Sequence, residues 1–259
     1  MRILTSIFTC ALILVSSAGW AQYARFPTSG VVEFEKSINM YALIKKRITK
    51  ENEGFLIPAF DNYKKNQPQF KKLKSTLTFS GNKTFYKPEA GTETSQNGFF
   101  SDEPFAGQPN IIFSDLNAQS SITQKNVFEE TFLVKDSVRN IKWKITDETR
   151  EIAGYPCRRA NALILDSIYV VAFYTDRIPV SGGPESFTGL PGMILGLALP
   201  HENVTWFATK VTDTPVAVNT LVPPKKGKAT DFEGLVTTIK AALKDWGDYA
   251  QASLKAFLL

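Results

Sequence analysis

Residues 182–199 read GGPESFTGLPGMILGLAL, and the reading of this stretch decides the fold. Gly182, Gly183, Gly189, Gly192 and Gly196 alternate with Pro184, Pro191 and Pro200, so the backbone is by turns freed and pinned near one φ. The prolines stop at Gly192, and Met193, Ile194, Leu195 and Leu197 form an apolar run too short for a core helix. A shaped loop entering a strand that is dry on both faces is the expectation, with Gly192 and Gly196 allowing close backbone approach or a bulge.

Working outward, short apolar segments recur on both sides at the spacing of an antiparallel meander. They are Asn110 to Asp115, Ser120 to Lys125, Val127 to Val134, Lys142 to Thr146, Arg158 to Leu165, Ser167 to Tyr174 and Val204 to Val211. Turns are expected at Leu116-Asn117-Ala118, Lys135-Asp136-Ser137, Leu165-Asp166-Ser167 and Pro200-His201-Glu202-Asn203. Farther upstream, Thr76 to Phe79 and Thr84 to Lys87 flank Gly81-Asn82, which is hairpin chemistry. Alternation from Val32 through Phe34, Ile38, Met40 and Ala42 to Ile44, broken only by Lys36, predicts one long strand. Residues 45–74 read as a loop with a short helix. Residues 88–109 read as a loop held to the body by Phe99, Phe100 and Phe105. Pro223-Pro224-Lys225-Lys226-Gly227-Lys228 reads as a stiff linker, after which Asp231 caps a helix with Phe232, Leu235, Val236, Ile239, Leu243 and Trp246 on one side and a bend at Gly247.

The predicted fold class is therefore mainly β, a single curved antiparallel sheet, bowl-like or half-open, with a C-terminal α-helix. With 259 residues, 43% of them hydrophobic, the chain can bury a sizeable core. Arg2, the apolar run Ile3 to Val15 and the small residues up to Ala21 have the three parts of a signal peptide. The expected division is residues 1–21 as signal peptide, 22–224 as one β domain, and 225–259 as linker and helix packed on it. The mature protein is expected in the periplasm or at the outer membrane, with no spanning segment after processing. Its basic excess is mild, 30 basic against 25 acidic residues in the whole chain, and implies no nucleic acid. With Cys10 in the apolar run, Cys157 is the mature protein's one cysteine and no internal disulfide can form.

The order of motifs resembles the GLPGLI family of exported proteins, best known from Bacteroidetes-type bacteria. The resemblance is carried by Gly30-Val31-Val32-Glu33-Phe34, Trp143-Lys144-Ile145-Thr146, Ile152-Ala153-Gly154-Tyr155-Pro156-Cys157, Phe173-Tyr174-Thr175, Gly183-Pro184-Glu185-Ser186-Phe187 and Gly189-Leu190-Pro191-Gly192-Met193-Ile194. Met193 stands where the name has Leu, and Phe173 where Trp is usual. The resemblance implies a bowl-like, β-rich module similar to the N-terminal domain of some F-type peptide-N-glycosidases, without their catalytic domain.

Chemistry-bearing residues are sparse. Cys157 and His201 have no partner at ligand spacing, so no metal site and no cofactor are expected. Arg158 and Arg159 could activate Cys157 for a hydrolase, and Cys157 with Met193 could carry copper; these stand as alternatives. Asp147-Glu148, Glu129-Glu130 and Asp102-Glu103 are adjacent pairs, which a strand splits between two faces. No G-x-G-x-x-G or G-x-x-x-x-G-K-[ST] signature occurs. The expectation is a non-catalytic binding or envelope-assembly module. Trp143, Tyr174 and Trp206 line a concave face for a glycan, lipid or envelope protein, and Gly183, Pro184, Gly189, Leu190, Pro191 and Gly192 shape a structural loop.

Overall fold

The computed structural model describes residues 26–89, 100, 103–107, 110–247 and 249–259. The expected signal peptide, residues 1–21, lies outside the described residues, as do Phe99 and Asp102. Twelve strands form one open sheet. They are β1 (Ser29–Asn39), β2 (Phe70–Ser80), β3 (Lys83–Pro88), β4 (Ile111–Asp115), β5 (Ser120–Val127), β6 (Glu130–Ser137), β7 (Lys144–Ile152), β8 (Tyr155–Ile164), β9 (Ile168–Thr175), β10 (Met193–Leu199), β11 (Val204–Asp213) and β12 (Lys228–Thr230). Their spatial order is β12-β6-β5-β4-β3-β2-β1-β11-β10-β9-β8-β7. Neighbours are antiparallel except β12, which runs parallel to β6.

β1 is the seam between two meanders, pairing with β2 on one side and β11 on the other. Its alternation buries Val32, Phe34, Lys36 and Ile38 on the inner face. Lys36 thus stays in phase with the apolar set, its Nζ 5.1 Å from the ring centre of Trp206 directly across on β11.

The strand does not run on to Ile44. Asn39 Oδ1 accepts from the backbone N–H of Ala42 at 3.1 Å and caps a helix, α1 (Met40–Arg47), which buries Met40, Leu43 and Ile44. Met40 and Ile44 fit both periods over so few residues, and the cap decides between them. Residues 45–74 are also more ordered than expected. They hold a 14-residue helix, α2 (Glu53–Asn66), with Pro58 inside it, and β2 starts at Phe70. Pro58 cannot bond to the carbonyl of Gly54, which lies exposed in the first turn, where water substitutes.

Hairpins turn at Gly81-Asn82, Ala153-Gly154 and Leu165-Asp166-Ser167; in the two-residue turn Ala153-Gly154 both residues take positive φ, the type I′ geometry, and in the three-residue turn Leu165 and Asp166 do. Lys135-Asp136-Ser137, expected as a turn, completes β6. Phe100 and Phe105 are buried, as the aromatic reading of residues 88–109 required.

The loop after β9 covers the inner face. Phe187 and Leu190 are fully enclosed, and Gly182 sits beside Thr84 of β3 and the Met193 thioether. Its path is fixed by tight backbone bonds, Val180 N to Ile178 O, Gly182 N to Val180 O and Gly192 N to Leu190 O, each 2.8 Å. Ile194 N to Gly182 O, also 2.8 Å, then leads the chain into β10.

The C-terminal helical segment is two helices rather than one bent helix. α3 (Phe232–Ala242) is capped by Asp231, whose Oδ1 accepts from Gly234 N at 2.8 Å, and α4 (Tyr249–Leu258) follows. α3 ends at Ala242 with Leu243 as its C-cap, and Gly247, at a φ of +55°, lies in the turn that leads into α4. Leu235, Ile239, Leu243, Phe257 and Leu258 pack on Val127, Phe132 and Val134 of β5 and β6 as a second core. Trp246 faces outward at 46% exposure and packs against Phe128 of the β5–β6 turn, 5.2 Å between ring centres. No helix among the described residues is long and apolar enough to cross a membrane.

Candidate binding groove

Between β4–β6 and the β8–β9 turn the sheet leaves a groove of about 450 Å³. Such a volume is in the range of small-molecule sites. The segment Val138 to Lys142, which carries the chain from β6 across to β7, forms its floor, and α3 contributes Phe232 to the rim. Its lining mixes apolar side chains, Val134 directly across from Thr123 on the neighbouring strand together with Leu163, Ile164 and Leu165 at the β8–β9 turn, with hydroxyls from Ser114, Ser121, Thr123 and Ser186. Leu163, which borders the groove, is 61% exposed.

Arg139 lies half-buried in the floor. Its Nη2 donates to the carbonyl oxygen of Leu258 at 2.7 Å, its guanidinium stands 5.9 Å from the Phe232 ring centre, and the surrounding protein lowers it to about 10, so it is charged at neutral pH. The acid beside it, Asp136, is committed elsewhere. Oδ2 accepts from Phe232 N at 3.0 Å and Oδ1 from Ser137 N, and these bonds hold the carboxyl below its usual range.

Next to Thr123 along β5 and to Ser186 in the covering loop is a buried polar cluster. Glu185, at positive φ in the covering loop, accepts from Tyr86 Oη on Oε1 at 3.3 Å and from Asn110 Nδ2 on Oε2 at 2.9 Å. Burial and the Glu185 charge push the Tyr86 phenol well above its ordinary value. Lys125 is buried two residues along β5 from Thr123, and its Nζ has no hydrogen-bond partner among the described residues. Burial draws it from 10.5 down to about 8 against the opposing pull of Glu185, with Arg139 and Lys36 adding to the fall. Trp206 Nε1, Ser75 Oγ and Thr188 Oγ1 are likewise buried without a geometric partner.

The residues expected to line a concave site are placed differently. Trp143 is half-buried and donates its Nε1 to Thr188 O at 2.8 Å, which ties it to the loop at Gly189. Tyr174 is 3% exposed and Trp206 2% exposed, both under the covering loop, and none of the three borders the groove. Gly183, Pro184, Gly189, Leu190, Pro191 and Gly192 all lie in that loop. An added Cβ at Gly183 would come 2.7 Å from Phe187 O and 2.8 Å from Ile194 Cβ.

Cys157 is fully buried opposite Arg150 on β7, and burial pushes its thiol up to about 12. It is a protonated thiol at neutral pH, and its Sγ donates to the carbonyl oxygen of Tyr155 at 3.4 Å. His201 sits on the β10–β11 turn, 6.2 Å from Tyr169 between ring centres. Arg158 and Arg159 point instead to Asp147 and Glu148. We expect the native protein to leave Cys157 unmodified by iodoacetamide at pH 8 and to label fully in denaturant, as read by intact mass. Rapid native labelling would restore the thiol to chemical consideration. Among the described residues, no three of His, Cys, Asp and Glu gather as metal ligands.

Residues 163–196, from the end of β8 through the covering loop into β10, match the family described as "Protein of unknown function (Porph_ging)". Over 169 residues the chain is 22% identical to a mannitol 2-dehydrogenase of Aspergillus oryzae, which is 63% of this chain and 31% of that protein. The chain therefore spans about a third of the length of that curated relative. A similar solved structure is PNGF-II in its C2 crystal form, with a TM-score of 0.50 and 14% identity over 78% of this chain and 31% of that one. The P21 form gives 0.49 and 15%, over 84% and 33%. At such identity the likeness is one of fold. The match at the covering loop is thus to a family of unknown function, and the likeness to PNGF-II supports the β-rich fold that the order of motifs implied, while membership of the GLPGLI family is not shown by either.

Proposed function

We propose that this chain is an exported, non-catalytic binding or envelope-assembly module of the GLPGLI type, and that its ligand seats in the groove floored by Arg139. The observation that carries the reading is a half-enclosed space of about 450 Å³ whose lining combines apolar side chains, the exposed Leu163 among them, with hydroxyls from Ser114, Ser121, Thr123 and Ser186. An apolar lining favours desolvated contact, and a few directed polar groups fix orientation, which is the make-up of a binding site. The covering loop contributes Ser186, whose Oγ donates to the oxygen of Leu259 at 3.3 Å.

The partner is a glycan, lipid or envelope protein. Thr123→Trp fills the groove from a half-buried position without touching the main core. The wild-type protein, recovered from its native envelope under mild conditions, is expected to bring down a ligand by native mass spectrometry or a partner by pull-down, and Thr123→Trp to lose it with the melting temperature kept. Equal recovery by the two proteins would remove the groove from the reading.

A further inference from the structure

We infer that the helical end of the molecule, α1, α2 and the start of β2, docks the protein on an anionic lipid bilayer. This surface is separate from the groove, so the inference goes beyond the binding reading above and does not need it. Its first support is segregation of charge. Residues 45–74 hold nine basic and three acidic residues, a net +6, whereas the rest of the chain holds 21 basic against 22 acidic. Ion pairs take up part of that excess, Lys64 with Asp61 at 2.8 Å, Lys72 with Glu35 at 2.9 Å and Arg47 with Glu103 at 3.7 Å. Lys71 donates to Ala106 O at 3.2 Å, and Lys74 stands opposite Glu35 on β1. Lys45, Lys50 and Lys65 are exposed and form no ion pair among the described residues, and Lys46 Nζ donates to the backbone oxygen of His201. Glu51 and Glu53 oppose these four at the start of α2, where Glu53 also answers the positive end of the helix. Four lysines against two acids leave the surface basic.

The second support is apolar and independent of charge. The inner sides of the two helices are taken up by the core through Leu43, Ile44 and Leu56. Tyr41 holds the pair together, its Oη donating to Gln67 O at 2.9 Å and its ring meeting Phe60 edge-on at 5.8 Å. On the outer side of α2, Phe55 is 65% and Ile57 45% exposed, and Phe70, the first residue of β2, is 47% exposed. Large apolar side chains among ammonium groups on a rigid support suit the headgroup layer, with apolar tips at the acyl boundary and lysines at the phosphates. The kind of cation favours a bilayer over a protein or a nucleic acid. Eight of the nine are lysines, whose flexible point charges suit a mobile layer of headgroups. The one arginine, Arg47, whose planar fork suits directed paired bonds, is engaged by Glu103.

Flotation of the protein recovered after export, with phosphatidylcholine vesicles alone or containing about one third phosphatidylglycerol, tests the inference at about 0.1 M and about 0.5 M salt. Wild-type protein is expected to bind the anionic vesicles about tenfold or more tighter than the neutral ones at the lower salt, and to lose most of that preference at the higher. Lys45→Gln, Lys50→Gln and Lys65→Gln combined are expected to weaken binding to anionic vesicles by about tenfold or more, and Ile57→Ser by about fivefold, with the melting temperature kept in both. Thr123→Trp, which fills the groove, is expected to float as the wild type does, so that failure here and failure of the groove reading are told apart. Equal binding to the two kinds of vesicle, or a triple variant that floats like the wild type, would overturn the inference. Polyglutamate or duplex DNA bound more tightly than the anionic vesicles would overturn the choice of a bilayer. An Ile57→Ser variant that floats like the wild type would overturn the apolar contact.

Discussion

Gly192→Ala is expected to lower the melting temperature by roughly 10 °C or more, from a loss of about 3–5 kcal/mol spread over a domain of this size. A methyl group there would overlap the carbonyl oxygen of Thr175 and come 2.8 Å from its carbon and 3.0 Å from Asp176 Cα. Every one of these atoms is backbone, so no rotamer change can relieve the clash. The only way out is to move β9 from β10, whose first pair is Met193 with Thr175. Scanning calorimetry on the purified variant reads the effect directly. A variant that melts with the wild type but loses ligand would make the loop a functional element and not a framework.

The second large effect has the opposite sign. Lys125→Met is expected to stabilise the protein at pH 7 by roughly 3 kcal/mol, taking about 1.4 kcal/mol for each unit by which burial lowers the lysine. The folded protein holds Lys125 at about 8, whereas the unfolded chain holds it near 10.5. Below pH 8 the wild-type fold must keep a charged amine out of water, and that cost is fully present. Between about pH 8 and 10.5 the unfolded state binds the extra proton, so wild-type stability rises with pH relative to the variant. The gain from Lys125→Met should therefore shrink across that window and be nearly gone at its upper end. Urea unfolding of both proteins at pH 7, 9 and 10.5 checks it. A constant difference would mean that packing, not charge burial, sets the effect.

Much of the sheet was legible because its strands carry the period-two signal and its turns carry residues that accept positive φ. Gly81-Asn82 and Leu165-Asp166 are cases where local chemistry and final structure agree. Three things were hidden by locality. Lys36 reads as a break in an apolar strand, yet the ring that receives its ammonium lies on β11, far along the chain. β12 is three residues following a Pro-Pro-Lys-Lys stretch, and a parallel pairing with β6 has no period to betray it. Met40 and Ile44 satisfy two periods at once, so only the Asn39 cap distinguishes helix from strand.

The site was harder still. Glu185 stood in the quoted stretch as one polar residue among glycines and prolines, and its meaning depends on Tyr86 and Asn110, brought to it from another meander. A lone acid in an otherwise apolar, Pro-bounded loop was the available sign. The groove draws on residues from Ser114 to Phe232 with no shared motif, since it is the gap left where the two arms of the sheet approach one another. The aromatics chosen from sequence were large and apolar for the ordinary reason that Tyr174 and Trp206 fill the core.

The position of β1 bears on how the chain assembles. Each meander is stitched by hairpins between neighbours in sequence, so each can form early and locally. Their union is not local, because Gly30 to Ile38 must find Val204 to Asp213. Closing so long a loop is entropically costly and is recovered only when the whole ladder zips, which places the rate-limiting barrier at the β1–β11 pairing. Until residue 213 is available, β1 offers a long, apolar, half-paired edge. A chain built this way has reason to be kept unfolded until its last third can join it.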